Sequence, residues 1–273
     1  MTRREFDTAI AWAADEGWNP GLDDGEPFHS ADPHGFIGTW LDGRLIACIS
    51  AIRYGGDFGF IGFYLCHPGF RGNGYGLQTW HAGMAHLDGR SMGLDGVIDQ
   101  QENYQKSGFQ LAHRNVRFGG SVSCDTPDDA RLRRIGPDLF DGLVTYDAPF
   151  FPASRNTFLR LWINPTPTRT GFALIDDGGL TGYGIIRQCR DGHKIGPLFA
   201  DTEDGADLLF RALASTRNDG PLYIDPPEPN TAATTLAERY AMAPVFETAR
   251  MYRGSSPDLP LARTFGITTF ELG

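Results

Sequence analysis

Cys66-His67-Pro68-Gly69-Phe70-Arg71-Gly72-Asn73-Gly74-Tyr75-Gly76 is the stretch on which the fold turns. An apolar run at 58–65 precedes it, and Leu77, Trp80, Met84 and Leu87 follow at helical spacing, so it reads as a loop carrying a strand into a helix. Glycines at 72, 74 and 76 let the backbone turn tightly and approach a ligand without obstruction by a β-carbon. Free amides and the positive end of the helix dipole favour a pyrophosphate there, the dipole contributing roughly 0.3–1 kcal/mol, and Arg71 adds a full charge. The spacing is not Gly-x-Gly-x-x-Gly and no Gly-Lys-Ser/Thr follows, which excludes the dinucleotide and P-loop readings.

Working outward, the pattern predicts a helix at 6–16, a loop at Trp18-Asn19-Pro20-Gly21, and strands at 35–41 and 44–54 joined by Asp42-Gly43. With the run at 58–65 they form an antiparallel meander into the glycine loop. Downstream come a strand at 93–98, a polar segment at 99–109 and a strand at 110–118. The polar stretch 121–129 reads as a linker. Beyond it, helices are expected at 137–142, 154–163, 205–216 and 231–241, and strands at 171–176, 181–189, 194–199, 222–225 and 245–252. A tail strand at 265–272 is expected to tie the halves together. The second set resembles the first in the order of its elements, though not in residue identity. The expected fold class is α+β with α/β-type layers: two domains, 1–120 and 121–273, each a mixed, mostly antiparallel twisted sheet flanked by helices.

The chain has 273 residues, 41% of them hydrophobic, enough for two packed cores and against disorder. Its 24 Lys and Arg face 34 Asp and Glu, a net charge of −10 that opposes attraction to nucleic acid and anionic lipid. No apolar run approaches the roughly 18 residues that span a bilayer, and no signal-peptide core follows the polar start, so a cytoplasmic protein is expected. Cys48, Cys66, Cys124 and Cys189 are dispersed and read as reduced thiols. The histidines lack metal-ligand spacing, so no metal is expected.

Read as Arg-x-x-Gly-x-Gly, Arg71-Gly72-Asn73-Gly74-Tyr75-Gly76 resembles the acyl-CoA pyrophosphate motif of the GNAT N-acetyltransferase superfamily. Tyr104-Gln105-Lys106-Ser107-Gly108-Phe109 resembles that family's Tyr-x-Lys-x-Gly-Phe signature, in the right order and separation. The detailed match spans about 35–118, and the whole chain resembles tandem proteins that join a GNAT domain to a divergent, YitH-like second one. The resemblance implies acetyl-CoA as co-substrate. It implies that the backbone of Phe63, Tyr64 and Leu65 pairs with the pantetheine arm, while Arg71 and the amides of Gly72, Asn73, Gly74, Tyr75, Gly76 and Leu77 hold the pyrophosphate. It also implies that Tyr104 protonates the leaving thiolate. The family's pantetheine-binding Asn is replaced by Ile98 or Asp99 at that spacing, with Gln100, Gln101 and Asn103 as substitutes.

A free alkylamine resembles Lys, with a pKa of about 10.4, so acetyl transfer to it needs a proton acceptor, a donor for the oxyanion and an acid near sulfur. Asp99, just after the strand at 93–98, is the first candidate acceptor, with Glu102 the alternative. Trp18 and Asn19 are expected to border the acceptor pocket, as the corresponding loop does in the family, and Asp225 and Glu228 are further candidates for a cationic substrate. Around 195–205 the glycine ladder is missing, and Asp201, Glu203 and Asp204 would repel a pyrophosphate by about 4 kcal/mol for a contact at roughly 4 Å. The second half is thus expected to shape the acceptor cleft. The expected function is N-acetyl transfer to a small-molecule amine by a monomer or homodimer with no nucleic-acid or membrane partner. A non-catalytic acyl-CoA sensor and an enzyme acting on protein amino groups are the alternatives.

Overall fold

The computed structural model describes residues 1–217 and 219–273. Helix α1 (Arg3–Asp15) opens on a capping box between Thr2 and Glu5 and buries Phe6, Ala9 and Ala13. A short helix, α2 (Gly25–Ala31), lies in a stretch to which the sequence pattern assigns no element. Strands β1 (Phe36–Leu41), β2 (Arg44–Tyr54) and β3 (Phe58–Cys66) form the expected meander, followed by α3 (Tyr75–His86), β4 (Ser91–Val97), α4 (Gln101–Lys106) and β5 (Gln110–Gly120). The second half contains β6 (Leu132–Arg134), α5 (Phe140–Asp147), α6 (Asn156–Trp162), β7 (Arg169–Asp176), β8 (Gly179–Gln188) and β9 (His193–Ala200). It ends with α7 (Glu203–Ala214), β10 (Leu222–Ile224), α8 (Thr231–Arg239), β11 (Ala243–Arg253) and β12 (Thr264–Gly266).

All strands join one twisted, open sheet in the order β1-β2-β3-β4-β11-β5-β10-β9-β8-β7-β6, with β12 beside β9. The β3–β4 and β9–β10 pairs are parallel and the rest antiparallel. β11 comes from the second half yet sits between β4 and β5, with Arg250 opposite both Asp95 and His113. The halves therefore share a sheet.

The expected tail strand at 265–272 is present only as β12. The segment after it is buried and irregular, because it leaves the sheet and packs between the halves: Tyr54 Oη of the first half donates to the Leu272 carbonyl at 3.2 Å, and Arg155 Nη1 of the second donates to the Gly273 carbonyl at 3.3 Å. One apolar core also crosses the halves. Phe28 of α2 stacks on Trp162 of α6 at 5.7 Å, and each such aromatic contributes about 1.5–3 kcal/mol by burial. Buried ion pairs Asp24–Arg187, Arg117–Asp225 and Asp95–Arg250 bridge the same boundary. Breaking such a pair strands a buried charge at a cost of roughly 3–5 kcal/mol, so these pairs fix how the halves dock.

Candidate active site

The site begins where two strands part. β3 and β4 pair from Phe58 and Ser91 only as far as Ile61 and Leu94, which leaves the β4-facing edge of β3 unpaired beyond Ile61. A register break opposite Cys48 and Ser50 accompanies a left-handed Phe63, φ 44°. That conformation is strained for a side chain with a β-carbon. It is held because the Phe63 ring is buried edge-on against Phe6 and Phe28, at 4.9 and 5.7 Å.

The glycine loop follows. Gly72 and Gly74 have φ of 79° and 83°, and Gly74 caps α3. The helix therefore begins with the Tyr75, Gly76 and Leu77 amides free of intrahelical partners. Arg71 Nε donates to the Cys66 carbonyl at 2.9 Å, and its guanidinium pairs with Glu16 at the end of α1. Together the open amides, the absent β-carbons and one cation make a cradle that fits a pyrophosphate.

Tyr104 comes from α4 on the α3 side of the sheet. Its ring lies 5.5 Å from that of Trp80 and fills the space where Gly96 lacks a β-carbon, so any side chain at 96 would overlap it. Burial pushes the phenol's pKa up, which keeps it protonated throughout the neutral range. Cys66 also borders the cavity, with its thiol pKa raised by burial.

A cavity of about 570 Å³ runs from the glycine loop through the β3–β4 gap to the opposite face of the sheet. Among the residues expected from sequence, Trp18, Phe63, Tyr64, Leu65, Arg71, Gly72, Gly74, Gly76, Leu77, Asp99 and Tyr104 line it, and so does Gln100. Others point elsewhere. Asn73 Nδ2 donates to the Phe70 and Arg71 carbonyls at 3.3 and 3.2 Å, and the Tyr75 ring packs on Phe70, so neither side chain borders the cavity. Asn103 is tied to Gln100 at 2.8 Å and Lys106 at 3.3 Å on the outer face of α4, and Glu102 is exposed beside it. Asn19 bonds Asp191 in the β8–β9 turn. Asp225 is buried and committed to Arg117, at 2.7 and 2.9 Å, so it is not free for a substrate, and Glu228 is exposed outside the cavity.

Sequence reading missed the far wall. Asp95, Phe246, Thr248, Phe270 and Glu271 line it, and all but Asp95 belong to the second half. Asp95 carries the one legible signal, being the single charge inside the strand Ser91–Val97. Glu271 carries none in its local pattern.

In the second half the start of α7 is self-satisfied. Thr202 Oγ1 accepts from the Gly205 amide at 3.0 Å, and Asp201 binds Tyr146 and Arg263. Among the described residues no helix is long and apolar enough to cross a membrane, and no cluster of three His, Cys, Asp or Glu is placed to hold a metal ion.

Comparison with known proteins finds two matches to family models: "Acetyltransferase (GNAT) family" over residues 4–109 and "Acetyltransferase (GNAT) domain" over 143–266. The chain is 32% identical to holothin acyltransferase of Pseudoalteromonas sp. (strain SANK 73390), covering 98% of this chain and 92% of that protein. It is 27% identical to the uncharacterized N-acetyltransferase YitH of Bacillus subtilis (strain 168), covering 70% and 68%. Among solved structures, one from Pyrococcus horikoshii superposes with a TM-score of 0.83 at 17% identity, covering 100% and 94%. A tandem GNAT protein from the clavulanic acid biosynthesis pathway gives 0.61 at 13% identity, covering 94% and 98%.

Proposed function

Because this chain belongs to the GNAT N-acetyltransferase family, as a member with two such domains in tandem, we propose that it moves an acetyl group from acetyl-CoA directly to a primary amine of a small molecule within a ternary complex. It is an N-acyltransferase; the acetyl donor, the acceptor class and the direct route are our reading. One observation carries it: the continuous cavity from the glycine loop, past Tyr104, to a pocket closed by the second half.

In this reading residues 1–120 supply the catalytic domain. The unpaired edge of β3 at Phe63–Leu65 hydrogen-bonds the pantetheine arm as an added strand would, and the amides from Gly72 to Leu77 bind the pyrophosphate. Arg71 exchanges Glu16 for a phosphate oxygen. The thioester then lies in the gap between β3 and β4. Tyr104 donates its phenolic proton to the thiolate as the carbon–sulfur bond breaks, a step for which a protonated, buried phenol is suited. Residues 121–273 shape the acceptor pocket, since Phe246 and Phe270 wall it and the tail closes it. A closed end favours a free amine over a peptide. The likeness to holothin acyltransferase along nearly the whole chain supports turnover over mere sensing.

Thiol release from acetyl-CoA, followed with primary amines and with lysine-containing peptides, tests this. We expect release with amines only, and a Tyr104→Phe protein that binds CoA normally but turns over roughly 10²–10⁴-fold more slowly. Normal CoA binding with no release for any acceptor rejects catalysis in favour of a sensor, and release with peptides alone moves the acceptor to protein.

A further inference from the structure

Four carboxylates line the cavity, and they differ in what already holds them. The Asp95 side chain is fully buried and saturated: Arg250 donates to it at 2.9 and 2.6 Å and Asn115 at 2.8 Å. Glu16 is paired with Arg71 at the exposed mouth. Asp99 is exposed to water at the start of α4. Glu271 alone is buried without being spoken for: the residue is 3% exposed and its Oε1 has no hydrogen-bond partner among the described residues. A buried carboxylate oxygen left unsatisfied is costly, and it persists where a ligand or a proton completes it.

Its position is equally specific. The Glu271 backbone occupies the space where Gly62 lacks a β-carbon, and Gly62 is the first residue of β3 beyond the last β3–β4 pair. Across the gap, Gly96 of β4 is vacated for Tyr104 in the same way. Tyr104 packs with Trp80 on the α3 side, whereas the tail that carries Glu271 lies on the side of Tyr54 and Phe151. The cavity thus has a phenol on one face of the sheet, a free carboxylate on the other and the strand gap between them.

We propose that Glu271, delivered by the tail of the second half, is the proton acceptor for the attacking amine and that it selects cationic primary amines on a compact apolar body. This rests on the transfer reading above. The Glu271 carboxylate receives the ammonium and takes one N–H proton. The neutral nitrogen then bonds to the thioester carbon, the carbon–sulfur bond breaks, and the thiolate takes the Tyr104 proton. The second nitrogen proton restores Tyr104, and the proton on Glu271 leaves to solvent, so amine and acetyl-CoA give amide, CoA thiol and one released proton per ammonium consumed. Phe246 and Phe270, with ring centroids 5.9 Å apart, flank the amine's apolar body.

The surrounding charges tune the group. Burial pushes the Glu271 pKa above the usual carboxylate range, against the pull of Lys194 on β9, Arg117 on β5 and Arg187 on β8. Asp24 before α2 adds to the rise, and Asp225 offsets Arg117 as its ion-pair partner. Burial also lowers the pKa of Lys194.

The test compares wild type with Glu271→Gln using phenethylamine, an ammonium at neutral pH, and aniline, which is neutral there. The glutamine variant should lose roughly a hundredfold or more in kcat with phenethylamine and under tenfold with aniline. It should lose the rising limb of the pH–rate profile, keep its acetyl-CoA affinity, and melt no lower than wild type at neutral pH. Equal losses with both amines, an unchanged pH limb, or a lower melting temperature with intact kinetics overturns the proposal. If wild type turns over neither these amines nor any other acceptor, the transfer reading fails, and difference infrared titration against Glu271→Gln decides the residue. A protonated carboxyl band that titrates above the ordinary carboxylate range and shifts with phenethylamine upholds Glu271 as an amine-contacting base. A band indifferent to phenethylamine, or none, overturns it.

Discussion

The carbonyl oxygen of Glu271 lies where a β-carbon on Gly62 would stand, so the end of the chain rests directly on β3 at the point where β3 leaves β4. Two strands of the first half meet there with a tail that comes from β12, beside β9 of the second half. Such a junction makes the acceptor pocket a joint product of both halves, and it makes several single changes informative.

Gly62→Ala should displace the tail, because the overlapping atoms are backbone and have no rotamer to escape into. Loss of packing by Leu272 and of its hydrogen bond from Tyr54 should cost about 1–3 kcal/mol in denaturant unfolding. Unchanged stability would show that the tail does not depend on this contact.

Gly96→Ala should push the Tyr104 ring out of its slot while leaving the glycine loop intact. Turnover should fall tenfold or more at unchanged acetyl-CoA affinity. Because both changes act on one phenol, Gly96→Ala combined with Tyr104→Phe should be little worse than Tyr104→Phe alone. Losses that multiply would mean that Gly96 matters for another reason.

Glu16→Gln should free Arg71 for the pyrophosphate and tighten acetyl-CoA binding by up to roughly fivefold, since an exposed pair contributes about 0–1 kcal/mol. Arg71→Gln should weaken it. Calorimetric titration of both variants checks the sign, and weaker binding by Glu16→Gln would reject the exchange of partners.

His113 gives a prediction about acid. Burial first, and Arg250 second, hold its pKa down to about 4, against about 6.5 in the unfolded chain. The folded state therefore prefers the neutral ring. The stability this gives is present above about pH 6.5 and drains away as the pH falls toward 4. Melting temperatures across that window should drop less steeply for His113→Gln than for wild type, and identical slopes would contradict the assignment.

What the sequence made legible was local. Arg71 to Gly76 lies within one strand–loop–helix connection and Tyr104 to Phe109 within one helix–turn–strand connection, where local spacing sets which groups face the cavity. Glu102 and Asn103 misled because α4 is a helix: each residue turns about 100°, so the two before Tyr104 rotate out of the cavity when Tyr104 points in. Phe246, Thr248 and Glu271 were hidden for a different reason. They reach the site through β11, which inserts between β4 and β5, and through the tail, and no local period encodes which strand a distant segment will join. The expected strand at 245–252 is real, while its neighbours depend on packing such as the Asp95–Arg250 pair.

The grip of the glycine loop on the pyrophosphate is tested most directly by titrating acetyl-CoA into the wild-type protein and into Gly74→Asp. Asp tolerates left-handed backbone but sets a carboxylate against the phosphates, a repulsion of roughly 4 kcal/mol, or nearly a thousandfold in affinity. The account predicts one site per chain in the wild type and its loss in the variant. Undiminished binding by Gly74→Asp, or a wild type that binds no acetyl-CoA at saturating concentration, would contradict it.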